Sequence, residues 1–314
     1  MVGNFYRIQS WFENKNFYFV KKITYRVLLI LIRIIVPFYY SFIPLKLSGL
    51  AEKNKVKKEN RIIVSLTSFP PRMNNLWIVL ESLFRQTQKP DKIILWLASS
   101  QFPSINDVDR KVLAMKKKGL EIRFCDDLRS HKKYFYTMQE FKDDIVITVD
   151  DDVFYPENMV ETLLDKHYEY RDSIVCYRAH RITFIDGNIN KYIDWDYAVK
   201  NVTEPDNLLV PTGCGGVLYP PYSLSLEAFD IQEMLRLCPN ADDIWLKCMA
   251  YKNGTKSVLV SDTCSEMFTT RSSGESDLAR SNVMNGENDV QLRKVIERYS
   301  LNFSKAIDWS NSDG

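Results

Sequence analysis

Three consecutive acids, Asp150, Asp151 and Asp152, follow the run Asp144-Ile-Val-Ile-Thr-Val149. That apolar, β-branched run reads as a buried strand, so three carboxylates are delivered together at its C-terminal end. Like charges this close disfavour one another's ionisation unless a cation compensates. A divalent metal shared with a phosphate-bearing ligand is the usual solution, because hard cations take one or two carboxylates plus phosphate oxygens. The competing reading is a helix start: acids ahead of Phe154-Tyr-Pro-Glu157 suit a helix near 156–170, although one aspartate would suffice as its cap.

Other groups have spacing that suits such a site. Lys132 and Lys133 precede a short helix expected at 134–141; as point charges they would neutralise a diphosphate, or else sit in a solvated loop. Arg72, just past Pro70-Pro71, would reach a base or a phosphate, or lie on the surface at a helix start. In Arg178-Ala-His180-Arg181, the arginines suit an anionic substrate or the acidic cluster. His180 is a candidate metal ligand or orienting donor, the hydrogen-bonded structural histidine being the ordinary alternative. Pro211-Thr-Gly-Cys-Gly-Gly-Val217 offers Gly213, Gly215 and Gly216 where a ligand must approach the backbone, a pattern that ordinary loops share. Asn240-Ala-Asp-Asp-Ile-Trp245 puts Asp242 and Asp243 at a helix start, where one would cap and the other accept a proton from an acceptor hydroxyl. Glu287-Asn-Asp289 would close the site or cap the last helix.

The elements that must position these groups alternate. A strand over 61–67, a helix over 74–87, a strand over 92–97, a helix over 107–118 closed by Gly119, and a strand over 120–124 precede the short helix and the aspartate strand. Such repeated units predict an α/β, mostly parallel, doubly wound sheet. Ligands bind beyond the carboxyl ends of its strands, where Thr67, Ser68 and the three aspartates fall. No GxGxxG or Walker A follows the first strand, which counts against a dinucleotide dehydrogenase and a P-loop NTPase. After residue 172 the pattern becomes irregular, with strands expected at 173–177 and 181–185, a turn at Asp186-Gly187 and a helix over 241–252.

The chain has 314 residues, 45% hydrophobic and 26% charged, with a net charge of +2. These are ordinary globular values, and the charge argues against a dedicated nucleic-acid binder. Its six cysteines show no CxxC spacing and read as reduced thiols in a cytosolic environment. Residues 1–50 differ: 27–32 and 34–45 are almost continuously apolar, broken by Arg33, Pro37 and Pro44, with basic residues on both sides. Two-sided basic flanks predict a membrane-associating segment lying on, or dipping into, an anionic cytoplasmic leaflet. A single span and a helix packed on the soluble domain are the alternatives. Residues 51–60 read as a charged linker and 61–314 as the folded domain.

Taken together, residues 61–300 resemble nucleotide-sugar glycosyltransferases of the GT-A fold, a Rossmann-like architecture. Thr148-Val-Asp-Asp-Asp-Val153 looks like the family's DXD motif. Its order with Leu66-Thr-Ser68, Lys132-Lys133, Pro211–Val217 and Ala241–Ile244 is similar to bacterial enzymes of polysaccharide, capsule or lipopolysaccharide synthesis, with a looser likeness to exostosin-like glycosyltransferases. The resemblance implies Mn²⁺ or Mg²⁺ held by Asp152 and Asp150, and completed by His180, Asp289 or water. It places Asp151, Thr67, Ser68, Arg72, Lys132, Lys133 and Arg178 around a nucleoside-diphosphate sugar, UDP-sugar favoured. Gly213, Gly215 and Gly216 would lie beside sugar and acceptor, and, for hexosyl transfer to a glycan or lipid-linked acceptor, Asp242 or Asp243 would be the base if the reaction inverts; a retaining reaction would use a different arrangement. A sugar-phosphate nucleotidyltransferase and a non-catalytic nucleotide-sugar-binding protein are the alternative functions. The first usually has a Gly-rich basic loop after its first strand, and Thr67–Arg72 is not one.

Overall fold

The computed structural model describes residues 1–13, 18–43, 60–200, 202–261, 266–270 and 285–306. Most of the expected charged linker, and Pro44, lie outside the described residues. In chain order the helices are α1 (Val2–Glu13), α2 (Tyr18–Phe42), α3 (Met73–Phe84), α4 (Arg110–Ala114), α5 (Lys132–Glu140), α6 (Met159–Glu169), α7 (Ile231–Leu237) and α8 (Asp242–Lys252), before a C-terminal helix Glu287–Tyr299. The strands are β1 (Ile62–Thr67), β2 (Lys92–Ala98), β3 (Leu120–Cys125), β4 (Ile145–Thr148), β5 (Ile174–Cys176), β6 (Ala179–Arg181), β7 (Phe184–Ile185), β8 (Asn188–Ile189), β9 (Leu209–Pro211), β10 (Val217–Tyr219) and β11 (Ser257–Leu259).

Seven strands form the central sheet in the order β11-β5-β10-β4-β1-β2-β3. All run parallel except β10, which pairs antiparallel with both β4 and β5. The parallel strands are near-continuous apolar runs because both faces are covered. Ile62, Val64 and Leu66 of β1 pack in one core cluster with α2, α3 and α6, while Ile63 packs in another beside Ile94, Trp96 and Val146. A third cluster joins α5, α7 and α8 to β5, β10 and β11. The expected mostly parallel sheet with flanking helices is present.

Several boundaries move. The helix expected over 107–118 is the short α4, capped by the Asp109 side chain on the Lys111 N–H, followed by a 3-10 turn Met115–Lys118 that Gly119 closes at φ 102°. The strand expected over 181–185 is split between β6 and β7, and Asp186-Gly187 turns β7 into β8 with both φ angles positive. Helix α5 begins at Lys132, so the lysine pair lies in its first turn rather than in a solvated loop, and both residues are buried.

At the N-terminus, Pro37 does not interrupt α2. The missing backbone donor weakens a helix, but Leu28, Ile32, Val36 and Tyr40 are buried in the same cluster as α3 and the sheet, and that packing holds the helix through the proline. The opposite face exposes Ile23, Val27, Ile30, Ile34 and Phe38. The stretch Lys21–Phe42 is long and apolar enough to cross a membrane by length and composition. Of the cysteines, Cys125, Cys176, Cys214, Cys238 and Cys248 are free thiols.

Candidate functional site

Strand β4 stops at Thr148, opposite Ser65 of β1 and Val217 of β10. The Val149 N–H still bonds Ser65 O (3.1 Å), and the Asp150 N–H then donates to the Tyr155 hydroxyl (2.8 Å). Chain direction changes there, and the three aspartates separate into different environments. Asp151 turns inward, with its side chain 4% exposed; it accepts from Ser68 Oγ (2.5 Å) and from Arg72, which stands at the N-cap of α3. Burial pushes this carboxyl upward, against the pull of Arg72 and Ser68. Asp150 and Asp152 stay more open, at 29% and 21%. Asp150 pairs with Lys133 Nζ (2.7 Å), and Asp152 lies 3.3 Å from Arg72.

Lys133 links two halves of the molecule. Its ammonium also lies 2.9 Å from Asp242 Oδ2, in the first turn of α8. The positive end of a helix favours carboxylates at this place. Asp242 is held below its usual range, the Lys133 ammonium overcoming the burial that raises it. Asp243 is pushed up to about 7, by burial first and then by the charge of Asp242, with Asp150 adding to the rise while Lys133 and the Gly213 N–H oppose it. The Gly213 N–H reaches both Asp243 oxygens, at 3.1 and 3.2 Å. Neighbouring carboxylates with opposed shifts are what acid–base work requires.

Gly213 closes this cluster because β9 and β10 bracket the glycine loop and β10 pairs with β4. A Cβ at Gly213 would stand 2.6 Å from Lys133 Nζ and 3.0 Å from Asp150 Oδ1. Gly215 lies against Arg178, where a Cβ would meet backbone N at 2.9 Å. Gly216 has φ +87°, and a Cβ there would meet Met159.

Other expected site residues are occupied elsewhere. Thr67 Oγ1 donates to Trp96 O (2.9 Å) and fastens β1 to β2. Lys132 pairs with Asp127 (2.5 Å), not with the aspartate triplet. Arg178 donates to Thr212 Oγ1 (3.0 Å) and lies over the Tyr197 ring at 4.6 Å, supporting the glycine loop from beneath. His180 is buried, accepts from the Ala198 N–H at Nδ1 (3.1 Å), and stacks on Tyr197. Burial pushes it down to about 3, so the ring is neutral. Among the described residues no three His, Cys, Asp or Glu side chains group as a metal-ligand set, so His180 does not complete one with Asp150 and Asp152. Asp289 accepts the Tyr192 N–H (2.7 Å). Tyr155 and Thr270, which the sequence offered no signal for, hold the backbone at either end of the aspartate triplet: Tyr155 at Asp150 and Thr270, whose N–H donates to Asp152 O (2.7 Å), at the other.

Residues 72–218 match the family described as Glycosyl transferase family 2. The match runs from Arg72 through the aspartate triplet to β10, across the mostly parallel, Rossmann-like sheet. The carboxylates of α8 lie beyond it. No curated protein matches the chain. Two similar solved structures are the mannosyltransferase PcManGT from Pyrobaculum calidifontis, in complex with GDP-Man and Mn²⁺, and the inositol-1-phosphate CTP transferase from T. maritima. The first shares 12% identity at TM-score 0.43 over 92% of this chain and 86% of that one. The second shares 12% at TM-score 0.41, over 76% of this chain and 98% of that one.

Asp150 and Asp152 fit a hard divalent cation. They are two partly open carboxylates at one strand end, leaving other coordination positions to phosphate and water.

Proposed function

We propose that the protein is a metal-dependent glycosyltransferase moving a hexosyl group from a nucleoside-diphosphate donor, UDP-sugar favoured, to a hydroxyl of a glycan or lipid-linked acceptor in cell-surface polysaccharide synthesis. One observation carries the reading: a single lysine, Lys133, joins the strand-end Asp150 to the Asp242–Asp243 pair across Gly213, inside and beside the matched domain. Asp150 and Asp152 would hold Mn²⁺ or Mg²⁺, which neutralises charge on the departing diphosphate. Lys133 adds a buried positive charge beside the same group. Asp243 takes the proton from the acceptor hydroxyl, whose oxygen attacks C1 of the sugar. The bond from C1 to the diphosphate oxygen breaks, and the anomeric configuration inverts. Asp242, kept ionised by Lys133, raises the basicity of Asp243.

UDP-, GDP- and CDP-sugars, each with Mn²⁺ or Mg²⁺, should show nucleotide release from one donor class, and release should fall at least about tenfold with chelator or in Asp152→Ala. Release unaffected by either change would sink the metal assignment. Pyrophosphate in place of nucleoside diphosphate would point to a nucleotidyltransferase.

The same reading places the enzyme on the cytoplasmic face of the membrane. Helix α2 carries Lys21, Lys22 and Arg26 near its start and no acid, and its outward face is apolar from Val27 to Phe42. Such a helix suits an anionic lipid surface, lying in its plane. In flotation with phosphatidylserine-containing vesicles, the triple change Ile30→Ser, Ile34→Ser, Phe38→Ser should weaken binding about tenfold or more. Undiminished flotation would remove α2 as the membrane contact.

A further inference from the structure

Residues Glu266–Thr270 form no helix or strand of their own, yet they are tied on two sides. From the N-terminal helices, Gln9 donates to Glu266 O (3.0 Å), the Tyr25 hydroxyl to Met267 O (3.1 Å), and Arg33 to Thr269 O (2.9 Å) and Thr269 Oγ1 (3.0 Å). The Phe268 N–H donates to the Tyr6 hydroxyl (3.0 Å), which itself donates to Phe154 O (2.9 Å). The buried Phe268 ring stacks on Tyr25 at 5.5 Å and packs against Tyr6 at 4.9 Å. On the other side, the Phe154 N–H donates to Phe268 O (2.9 Å), Val153 bridges Thr269, and the Thr270 N–H donates to Asp152 O (2.7 Å). The segment is a strap between α1–α2 and the backbone of the aspartate triplet.

We propose that Tyr6, Tyr25 and Arg33 are positioning residues of the donor site, fixing the Asp152–Phe154 backbone through this strap. The inference rests on the glycosyltransferase reading for its consequence, and on the hydrogen bonds for its geometry. Arg33 is its clearest expression. A cation inside an apolar helix is costly unless its donors are satisfied, and here Nε and one Nη of the half-buried guanidinium donate to Thr269. Displacement of a ligating group by about 1 Å weakens a site steeply, and Asp152 has a carboxylate on one side of its peptide and the strap on the other.

The full chain in anionic vesicles is compared as wild type, Arg33→Met, Tyr25→Phe and a control at an exposed residue of α1, Ile8→Ala. Two readouts are taken: Mn²⁺–UDP affinity by Mn²⁺ spin resonance, and amide exchange at Thr270 and Phe154. Arg33→Met is expected to bind Mn²⁺–UDP about fivefold more weakly and to exchange those amides about tenfold faster. Tyr25→Phe should shift both the same way by less, and Ile8→Ala neither. Equal affinity in wild type and Arg33→Met, or unchanged exchange at Thr270 in Arg33→Met, overturns the inference. A wild type that binds no Mn²⁺-nucleotide overturns the donor role assigned to the strap and counts against the glycosyltransferase reading, whereas exchange reports the strap's geometry independently of that reading.

Discussion

Asp243→Asn is expected to lower kcat/KM for sugar transfer by about 10²–10⁴, the range of a positioned general base. The wild-type kcat/KM should climb with pH around a midpoint near 7, where the Asp243 carboxyl titrates, and level off above it. The direction follows from the role: the base acts deprotonated, so activity appears as the proton leaves. Folding responds in the opposite sense. Because the folded-state value lies above the ordinary 3.8, the folded protein holds this proton more tightly. The stabilisation is complete below the ordinary value and is lost as pH rises through about 7. Asparagine removes that buried charge while keeping an oxygen for the Gly213 N–H. The variant should therefore be at least as stable as wild type at pH 8 while losing the ascending limb. Full activity with an unchanged pH profile would transfer the base role away from Asp243.

Gly213→Ala should cut turnover by about a hundredfold through crowding rather than through lost chemistry. The new methyl would need the space of Lys133 Nζ and press on Asp150 and Asp243, at 2.6, 3.0 and 3.3 Å. A lysine head usually moves aside cheaply. This one is buried and pinned between Asp150 and Asp242, so moving it separates both ion pairs in the interior. A thermal unfolding curve and the pH–rate profile together check the account. The methyl should leave the fold cooperative and shift the midpoint near 7, because the lysine that restrains Asp243 has moved. Ordinary turnover in Gly213→Ala would show that the cluster has room to relax.

The part of this site that could be read from the sequence is the part built on regular elements. A continuous apolar run announced a parallel strand covered on both faces, and the acids after it had to emerge at its carboxyl end. Asp242 and Asp243 were legible as a helix start for the same reason. What stayed hidden depends on partners far along the chain. Nothing local distinguishes Lys133 from Lys132; their fates differ because Asp150 and Asp242 stand beside one and Asp127 beside the other. Val217-Leu-Tyr219 is too short for alternation to show that it enters the sheet antiparallel. His180 next to two arginines was open to a ligand or a structural role in the sequence, and a ring stacked on Tyr197 and bonded to a backbone amide is decided by tertiary packing alone. Arg33 looked like an obstacle to membrane insertion and is a tether for Thr269.

The buried stripe of α2 bears on how interchangeable the parts of this protein are. Membrane anchors are commonly treated as modules to be trimmed for expression or exchanged between proteins. Here Leu28, Ile32, Val36 and Tyr40 belong to the same core as Ile62, Leu76 and Leu80. A chain started at residue 61 would open a trench of apolar side chains along α3 and leave Phe268 without Tyr6 or Tyr25. On the proposed membrane reading, a foreign anchor could supply the lipid contact but not that packing, so an exchange is expected to cost stability even where it restores vesicle binding.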